Sequence, residues 1–491
     1  MSLLLIIGLV FLLYIRTLNY NYVIDDNVRR EGYMYDVPLM APPPEFFDTK
    51  PSPWYRLFMI GMHCVNVSIV YMIWGWAPAL LFAVHPLSVC VTAWVTGNYY
   101  ATAAYFTLIA FFALHTFPNL LGALIAMPLF AAALNSTVCP ITFPFVFLFG
   151  STPWGLTMLF PLAMFLRGKR FQTGISIRKS IANETHVKNK FHFRRIALMT
   201  KVVARYTYNT LVPIKTGFFD GYGHNARDHK DIYDKYCSFN VTFWVSLALC
   251  LSVFAAGLLI HPFGIFWFFT FVMLHSQWNF MGQFFALRYL YIPLVGMCVV
   301  VGTALAPYPI LMAIVTTLLV VKTHYFIYAW RNQEEMWKND VVNYPNWSQP
   351  WNNYAQYLLS EVSLDRMGKK RRKHVPDSRI NETIYYLLRA DEMEPDCWQI
   401  KMNISCFFSL IGEWDRALQK TNEAIALLKP LGGIKNPMII LEKQKASMES
   451  IIAKLKPGAT NLTQEQGGSD DKREEEGTGV FESIGSAESS R

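Results

Sequence analysis

Residues 80–114 read LLFAVHPLSVCVTAWVTGNYYATAAYFTLIAFFAL. The stretch contains no Asp, Glu, Lys or Arg, and the His85-Pro86 pair interrupts its first half. Proline removes a backbone donor and histidine is costly in hydrocarbon, so both need surrounding protein when they lie at membrane depth. The stretch therefore predicts two helices, near 77–96 and 98–116, inside a membrane-embedded bundle.

The whole chain has the same character. Of its 491 residues, 53% are hydrophobic and 16% are charged, which fits a multi-pass integral-membrane protein with a polar appendage. We expect an all-α, polytopic helical bundle of about eleven helices, several shorter than the roughly 20 residues of a full span. Besides the two above, the predicted helices lie near 3–18, 56–75, 119–134, 138–151, 153–167, 240–260, 262–281, 286–305 and 308–329.

An odd number of spans places the chain ends on opposite sides of the membrane. With a cytosolic N-terminus, the interval 168–239 and everything after about residue 330 lie on the non-cytosolic side. The excess of Lys and Arg in 168–239 argues for the opposite orientation, but that rule weakens for loops beyond roughly 60 residues. The helix count therefore favours a non-cytosolic C-terminal domain, in the ER membrane of a eukaryote or the cell membrane of a bacterium.

The interval 168–239 contains FHFRRIALMTKVVARYTYNTLVPI, residues 191–214. Apolar side chains alternate with Arg and Lys at helical spacings, which is typical of an amphipathic helix on a membrane surface. Such a helix either gathers an anionic lipid-linked substrate or only anchors the chain. Because the basic segments adjoin the membrane, lipid phosphates rather than nucleic acid are their expected partners.

After Trp330 the chain changes to a soluble helical domain, predicted over 331–456. Residues 384–430 have the pattern of tetratricopeptide repeats, with turns at Pro395 and Gly412 and small residues at Ala417 and Ala424. Repeats of this kind bind peptides or partner domains. The tail 457–491 is too polar to bury a core and is expected to be disordered.

Paired carboxylates follow the first apolar helix, in LLLIIGLVFLLYIRTLNYNYVIDDNVRR, residues 3–30. Asp25 and Asp26 would lie at the membrane–water boundary. There a carboxylate can take a proton from an acceptor hydroxyl, or hold a divalent metal ion against a lipid-linked phosphate. The alternative is a solvated loop.

A lone arginine stands in a second apolar stretch, FFALRYLYIPLVGMCVVVG, residues 284–302. Arg288 is either a phosphate ligand, for which its planar guanidinium is suited, or an arginine that reaches the membrane interface. His85, taken alone, fits a helix-end histidine that is hydrogen-bonded to backbone.

The order of these motifs resembles a known family. The Asp-Asp exit, a His63-x-x-Asn66 helix, the FAVHP and AWVTG strings, RYLYIP and the repeats are similar to the transmembrane and tetratricopeptide-repeat O-mannosyltransferases of the GT-C superfamily. The resemblance implies transfer of a sugar from a polyprenyl-phosphate donor to a protein hydroxyl on the non-cytosolic face. The repeats would present the acceptor protein or peptide.

The resemblance also implies residue roles. Asp25 or Asp26 would be the catalytic base, with a divalent metal as an option. Arg288, Tyr289 and Tyr291 would hold the donor phosphate, and His85 would line the same cavity.

The chain departs from the family pattern where polar or charged residues are usual. Cys90, Asn98 and Leu287 stand at three such positions, and the string 135–138 replaces a charged one. These losses leave a second hypothesis open, in which the GT-C-like body is a catalytically degenerate scaffold and the repeats bind partner proteins. A transporter of lipid-linked sugars ranks behind both, since the helical region shows no internal symmetry.

Overall fold

Every regular element is helical in the part of the chain that the computed structural model describes. That part comprises residues 2–21, 23, 53–136, 139–146, 153–168, 193–217, 236–277, 285–366, 376–429 and 435–455. The contacts divide the chain into two units, with the main boundary between Asn343 and Tyr344. The predicted all-α class is confirmed.

The first unit contains fourteen of the described α-helices. They are α1 Leu3–Tyr14, α2 Pro53–Trp74, α3 Trp76–Val84, α4 Val89–Thr92, α5 Asn98–Thr116, α6 Leu120–Ser136, α7 Phe143–Val146, α8 Leu159–Arg167, α9 Arg195–Leu211, α10 Val241–Ile260, α11 Pro262–Leu274, α12 Tyr291–Leu305, α13 Pro309–Ala329 and α14 Gln333–Asn343.

Four helices of this unit are long and apolar enough to cross a membrane: α2, α10, α13 and the continuous segment Leu287–Leu305 that contains α12. On α10 and α13 most apolar side chains face outward, and Leu259 is 90% exposed. A soluble surface rarely carries so much contiguous apolar area, so these faces suit lipid. The structure thus supports membrane association through four candidate spans among the described residues.

Helix α3 lies at the centre of the bundle, packed against α1, α2, α12 and α13. All residues from Ala77 to Val84 are buried. Two close approaches lie along α12, one to α3 and one to α11. A Cβ added at Gly302 of α12 would lie 2.6 Å from the backbone nitrogen of Pro78, and one at Gly296 would lie 2.5 Å from the carbonyl oxygen of Gly264 on α11. Glycine therefore lets three helix backbones touch.

The predicted helix over 77–96 is not continuous. Helix α3 ends at Val84, and the 3₁₀ turn Pro86–Ser88, the short α4 and a second 3₁₀ turn Val95–Gly97 follow it. Pro86 forces the residue before it out of the helical region, and His85 is extended with φ −72° and ψ 131°. We call the segment from His85 to Gly97 the central break.

Five helices lie in the described part of the second unit: α15 Ser348–Arg366, α16 Asp377–Met393, α17 Trp398–Leu410, α18 Trp414–Leu428 and α19 Lys435–Leu455. Each packs against the next in the chain, and α15 also contacts α17. Ala417 and Ala424 are fully buried, and Gly412 has φ 84°, a left-handed turn between α17 and α18 that favours glycine.

An ion network ties three helices of this unit together. Lys401 Nζ lies 2.7 Å from Asp391 Oδ1 and 3.5 Å from Glu423 Oε2, and Lys420 Nζ lies 2.8 Å from the same Glu423 oxygen. Partial burial acts to raise the pKa of Glu423, but the two ammonium groups outweigh it and hold that pKa below its ordinary value.

This network predicts an acid-sensitive contribution to stability. Because the folded-state pKa is lowered, the contribution is present above the unfolded pKa and is lost as the pH falls through the folded pKa. The side chain is 32% exposed and water screens it, so Glu423→Gln should destabilise the second unit by only about 0.5 kcal/mol at pH 7. Hydrogen exchange of α17 and α18 should be faster in the variant at pH 7 and match wild type at a pH below the folded-state pKa of Glu423, where that carboxyl is protonated.

Glu392→Gln is the matched control. Glu392 pairs with Arg389 at 2.7 Å but is 64% exposed, so its exchange should equal that of wild type at both pH values. An equal effect of both substitutions would show that the Lys401 network adds nothing specific.

Candidate functional site

Arg288 is the centre of the candidate site. Extended backbone at Ala286 leads into a 3₁₀ turn, Leu287–Leu290, which continues as α12. The half-buried Arg288 guanidinium carbon lies 4.9 Å from the ring centroid of Tyr289 and 5.8 Å from that of Trp94 in the central break. A cation held by aromatic faces at the start of a long helix is suited to an anion.

Aromatic stacking fixes the neighbouring Tyr289. Its ring lies parallel to that of His275, with centroids 4.3 Å apart and an interplanar angle of 2°, and it meets Tyr100 edge-on at 6.0 Å. His275 closes α11 and Tyr100 belongs to α5, so two helices set the orientation of the ring against which Arg288 lies. The site residues Arg288 and Tyr289 thus share one surface.

A buried carboxylate belongs to the same neighbourhood. Cys90 in α4 lies within electrostatic range of both Arg288 and Asp340 of α14. Cys90 is 1% exposed and Asp340 is fully buried. Position 90 is one at which the chain departs from the family pattern, and the acid whose charge acts on Cys90, Asp340, comes from α14, 250 positions further along the chain. Sequence reasoning missed Asp340 because nothing in the mixed sequence of α14 singles it out.

Helix α9 supports the approach to Arg288 from another side. Tyr206 stacks on Phe285 with centroids 4.2 Å apart, and its hydroxyl accepts the N–H of Ala286 at 3.2 Å. The guanidinium of Arg205 lies 5.1 Å from the Phe285 ring. Helix α9 belongs to the basic interval 168–239, which the sequence predicts to be interfacial. Its contacts therefore hold Phe285 and Ala286, which shortly precede Arg288 in the chain.

The chain leaving α1 is tied to the central break. Buried Arg56 donates to the carbonyl of Asn21 at 3.1 Å and to the carbonyl of Ala93, next to Trp94. The N–H of Asn21 donates to the carbonyl of Arg331 at 3.0 Å. The backbone at Asn21 therefore lies at the same end of the unit as Trp94 and its contact to Arg288.

Asp25 and Asp26, the predicted catalytic pair, lie outside the described residues. The same holds for the metal role proposed for them. Within the described parts of the chain, no group of three or more His, Cys, Asp or Glu side chains is arranged to hold a metal ion. A divalent metal therefore stays a prediction from the sequence.

Tyr291 points into the bundle. Its hydroxyl lies 2.7 Å from His63 Nδ1 and accepts from Asn66 Nδ2 at 3.3 Å, and all three side chains are fully buried. His63 Nε2 donates to the carbonyl of Ala83 at 3.3 Å, so its Nδ1 is the acceptor for the Tyr291 hydroxyl. The His63-x-x-Asn66 spacing places both residues on one face of α2, which was the sequence signal for this network.

His85 also has internal partners. Its Nδ1 accepts the N–H of Leu87 at 3.2 Å, and its Nε2 donates to the carbonyl of Thr210 at 3.0 Å. The side chain is 4% exposed. This is the arrangement of a helix-end histidine bonded to backbone. Of the residues expected to hold a donor phosphate, Arg288 and Tyr289 lie together, whereas Tyr291 and His85 are engaged in the interior.

In the described residues, the fold and this site define an all-α protein with membrane-compatible helices and a partly accessible arginine site. Comparison with known proteins adds no narrower class. No protein-family model, no curated protein and no solved structure matches the chain.

Proposed function

We propose that the chain is an integral-membrane glycosyltransferase of the GT-C type, in a multi-pass topology. It moves a sugar, with mannose as the first donor to test, from a polyprenyl-phosphate carrier to a hydroxyl of an acceptor protein on the non-cytosolic face. One observation supports this proposal most directly. Asn21, the central break and Arg288 lie at the same end of the first unit, since Arg56 joins Asn21 to Ala93 and Arg288 lies against Trp94.

Each part of the reaction has a residue in this proposal. Arg288 holds the donor phosphate through directional, charge-assisted hydrogen bonds, and the ring of Tyr289 keeps its guanidinium in place. Asp25 or Asp26, a few residues beyond Asn21, takes the proton of the acceptor hydroxyl. His63, Asn66 and Tyr291 support the fold beneath this end and do not touch substrate.

The second unit is proposed to be a tetratricopeptide-repeat domain that presents the acceptor. Two turns support this assignment. Tyr344-Pro345 and Glu394-Pro395 each directly follow a helix and are separated from the next helix by two residues, and the residue before each proline is buried. The buried Ala417 and Ala424, with the left-handed Gly412, have the small-residue contacts that such helix pairs need.

A scaffold without activity is the second candidate. Cys90, Asn98 and Leu287, which replace polar or charged residues of the family pattern, are all buried. Tyr291 and His85 offer no free face to a donor. In that case the first unit anchors the protein in the membrane and the helical repeats bind partner proteins.

Sugar transfer by the purified chain in lipid nanodiscs separates the two. Wild type, supplied with labelled polyprenyl-phosphate sugars and acceptor peptides, should transfer sugar, and the double variant Asp25→Asn with Asp26→Asn should lower the rate about a hundredfold or more. Asp396→Asn, an exposed carboxylate in a turn of the second unit, is the control and should act like wild type. Transfer from none of the donors, with partner binding by the second unit intact, would favour the scaffold.

A further inference from the structure

A separate cavity of about 390 Å³ lies between α6 and α8. Among the described residues that line it, seven side chains are apolar and the eighth is an amide. They are Met127, Pro128, Ala131 and Asn135 from α6, and Phe160, Pro161, Met164 and Phe165 from α8. None of these residues belongs to the Arg288 site. We call this cavity the α6–α8 slot.

Helix geometry gives the slot its direction. The α6 residues recur at positions i, i+1, i+4 and i+8, which lie on one face of a helix and extend over about 12 Å. Pro128 breaks the hydrogen-bond ladder within α6, which opens space beside it. Asn135 lies one residue before the end of α6, so the slot is apolar along its length and has one polar group at one end.

The surface around the slot is apolar and outward-facing. Leu120 and Leu124 of α6 are 55% and 53% exposed, and Phe160 and Met164 of α8 are 68% and 59% exposed. Water needs two to four polar partners to occupy a cavity stably, and the described side chains that line the slot provide one amide. Its volume is near the lower end of the range for small-molecule pockets, about 300–1,000 Å³, which is enough for one chain.

We propose that the α6–α8 slot binds one acyl chain of a bilayer phospholipid, with the ester region of that lipid hydrogen-bonded to the Asn135 amide. A phospholipid has the same asymmetry as the slot, since its long apolar chain ends in polar ester groups. The surface on which the slot opens is apolar in the way that a lipid-facing surface is, so bulk phospholipid is the ligand it meets first. The proposal depends on membrane insertion and is independent of sugar transfer.

Photolabelling of the full chain in nanodiscs tests the proposal. The probe is phosphatidylcholine with a diazirine on one acyl chain, and labelled peptides are located by mass spectrometry. Labelling should concentrate on the slot-lining peptides of α6 and α8. Ala131→Trp fills the slot and should lower labelling of the α8 peptide at least fivefold, whereas Leu318→Trp, at an outward-facing position of α13 that does not line the slot and is 64% exposed, should change it less than twofold.

Two further measurements keep the outcome decisive. Met164→Trp fills the slot from the opposite helix and replaces Ala131→Trp if that variant does not elute as a monodisperse species. Asn135→Leu removes the polar end and should lower labelling about threefold. The proposal would be overturned if labelling were spread evenly over the outward-facing helices, or if it were unchanged in both filled variants. It would also be overturned if a polyprenyl phosphate displaced the probe and unlabelled phosphatidylcholine did not.

Discussion

Arg288→Ala is expected to lower kcat/KM for a polyprenyl-phosphate sugar about a hundredfold, which corresponds to about 3 kcal/mol of lost interaction. The guanidinium is a half-buried cation at the start of the Leu287–Leu305 helix, and in the proposed reaction alanine would leave the donor phosphate without its directional hydrogen bonds. The loss should appear chiefly as a higher KM for the donor. Arg288→Lys keeps the charge but not the planar fork, so we expect about a tenfold loss.

Arg416→Ala controls for the loss of an arginine that lies against an aromatic ring. Arg416 lies 5.6 Å from the ring centroid of Phe408 in the second unit and is 67% exposed. Its removal should leave the KM for the donor unchanged. An Arg288→Ala enzyme with an unchanged KM for the donor and a reduced kcat would contradict the assignment of Arg288 as the phosphate ligand.

Gly296→Ala is expected to destabilise the first unit by about 3 kcal/mol. The added Cβ would lie 2.5 Å from the carbonyl oxygen of Gly264 and 2.8 Å from the backbone nitrogen of Phe268, and neither backbone atom can move without displacing α11. The same interface carries the hydrogen bond from Trp267 Nε1 to the carbonyl of Ile292 at 2.9 Å. Thermal unfolding in detergent, followed by size-exclusion elution, measures the effect.

Gly61→Ala is the matched control because it adds the same methyl group to a membrane helix. No atom lies within 4 Å of a Cβ at Gly61, so this variant should be as stable as wild type or up to about 1 kcal/mol more stable through higher helix propensity. Equal melting temperatures for the two variants would show that α11 and α12 can separate without cost.

Hydrophobic patterning predicted the helices better than their interruptions. The expected helix at 98–116 coincides with α5, and the one at 240–260 nearly coincides with α10, because both are apolar runs bounded by polar or turn residues. The expected helix at 77–96 was wrong as a single element. The side chains of this segment are as apolar as those of a continuous helix. Only the backbone dihedral angles before Pro86 distinguish the observed, interrupted segment from a single helix.

The candidate site could be predicted only where its parts are adjacent in the chain. Arg288 and Tyr289 are neighbours, so one motif indicated both. The contact of Arg56 with Ala93 joins residues 37 positions apart, and the position of Asp340 near Cys90 depends on how α14 packs. Neither relation leaves a periodic pattern in the sequence, since both arise from tertiary packing.

The central break has a consequence for how the chain is made. Carbonyl groups within and next to it accept hydrogen bonds from distant segments: Arg56 donates to Ala93 within the break, and Thr323 of α13 donates at 2.6 Å, across 239 residues, to the carbonyl of Val84 directly before it. During synthesis Arg56 is already present when the central break is made, whereas Thr323 is absent until α13 is synthesised. The region that contains His85 and Pro86 therefore reaches its final form only after nearly the whole first unit has been synthesised.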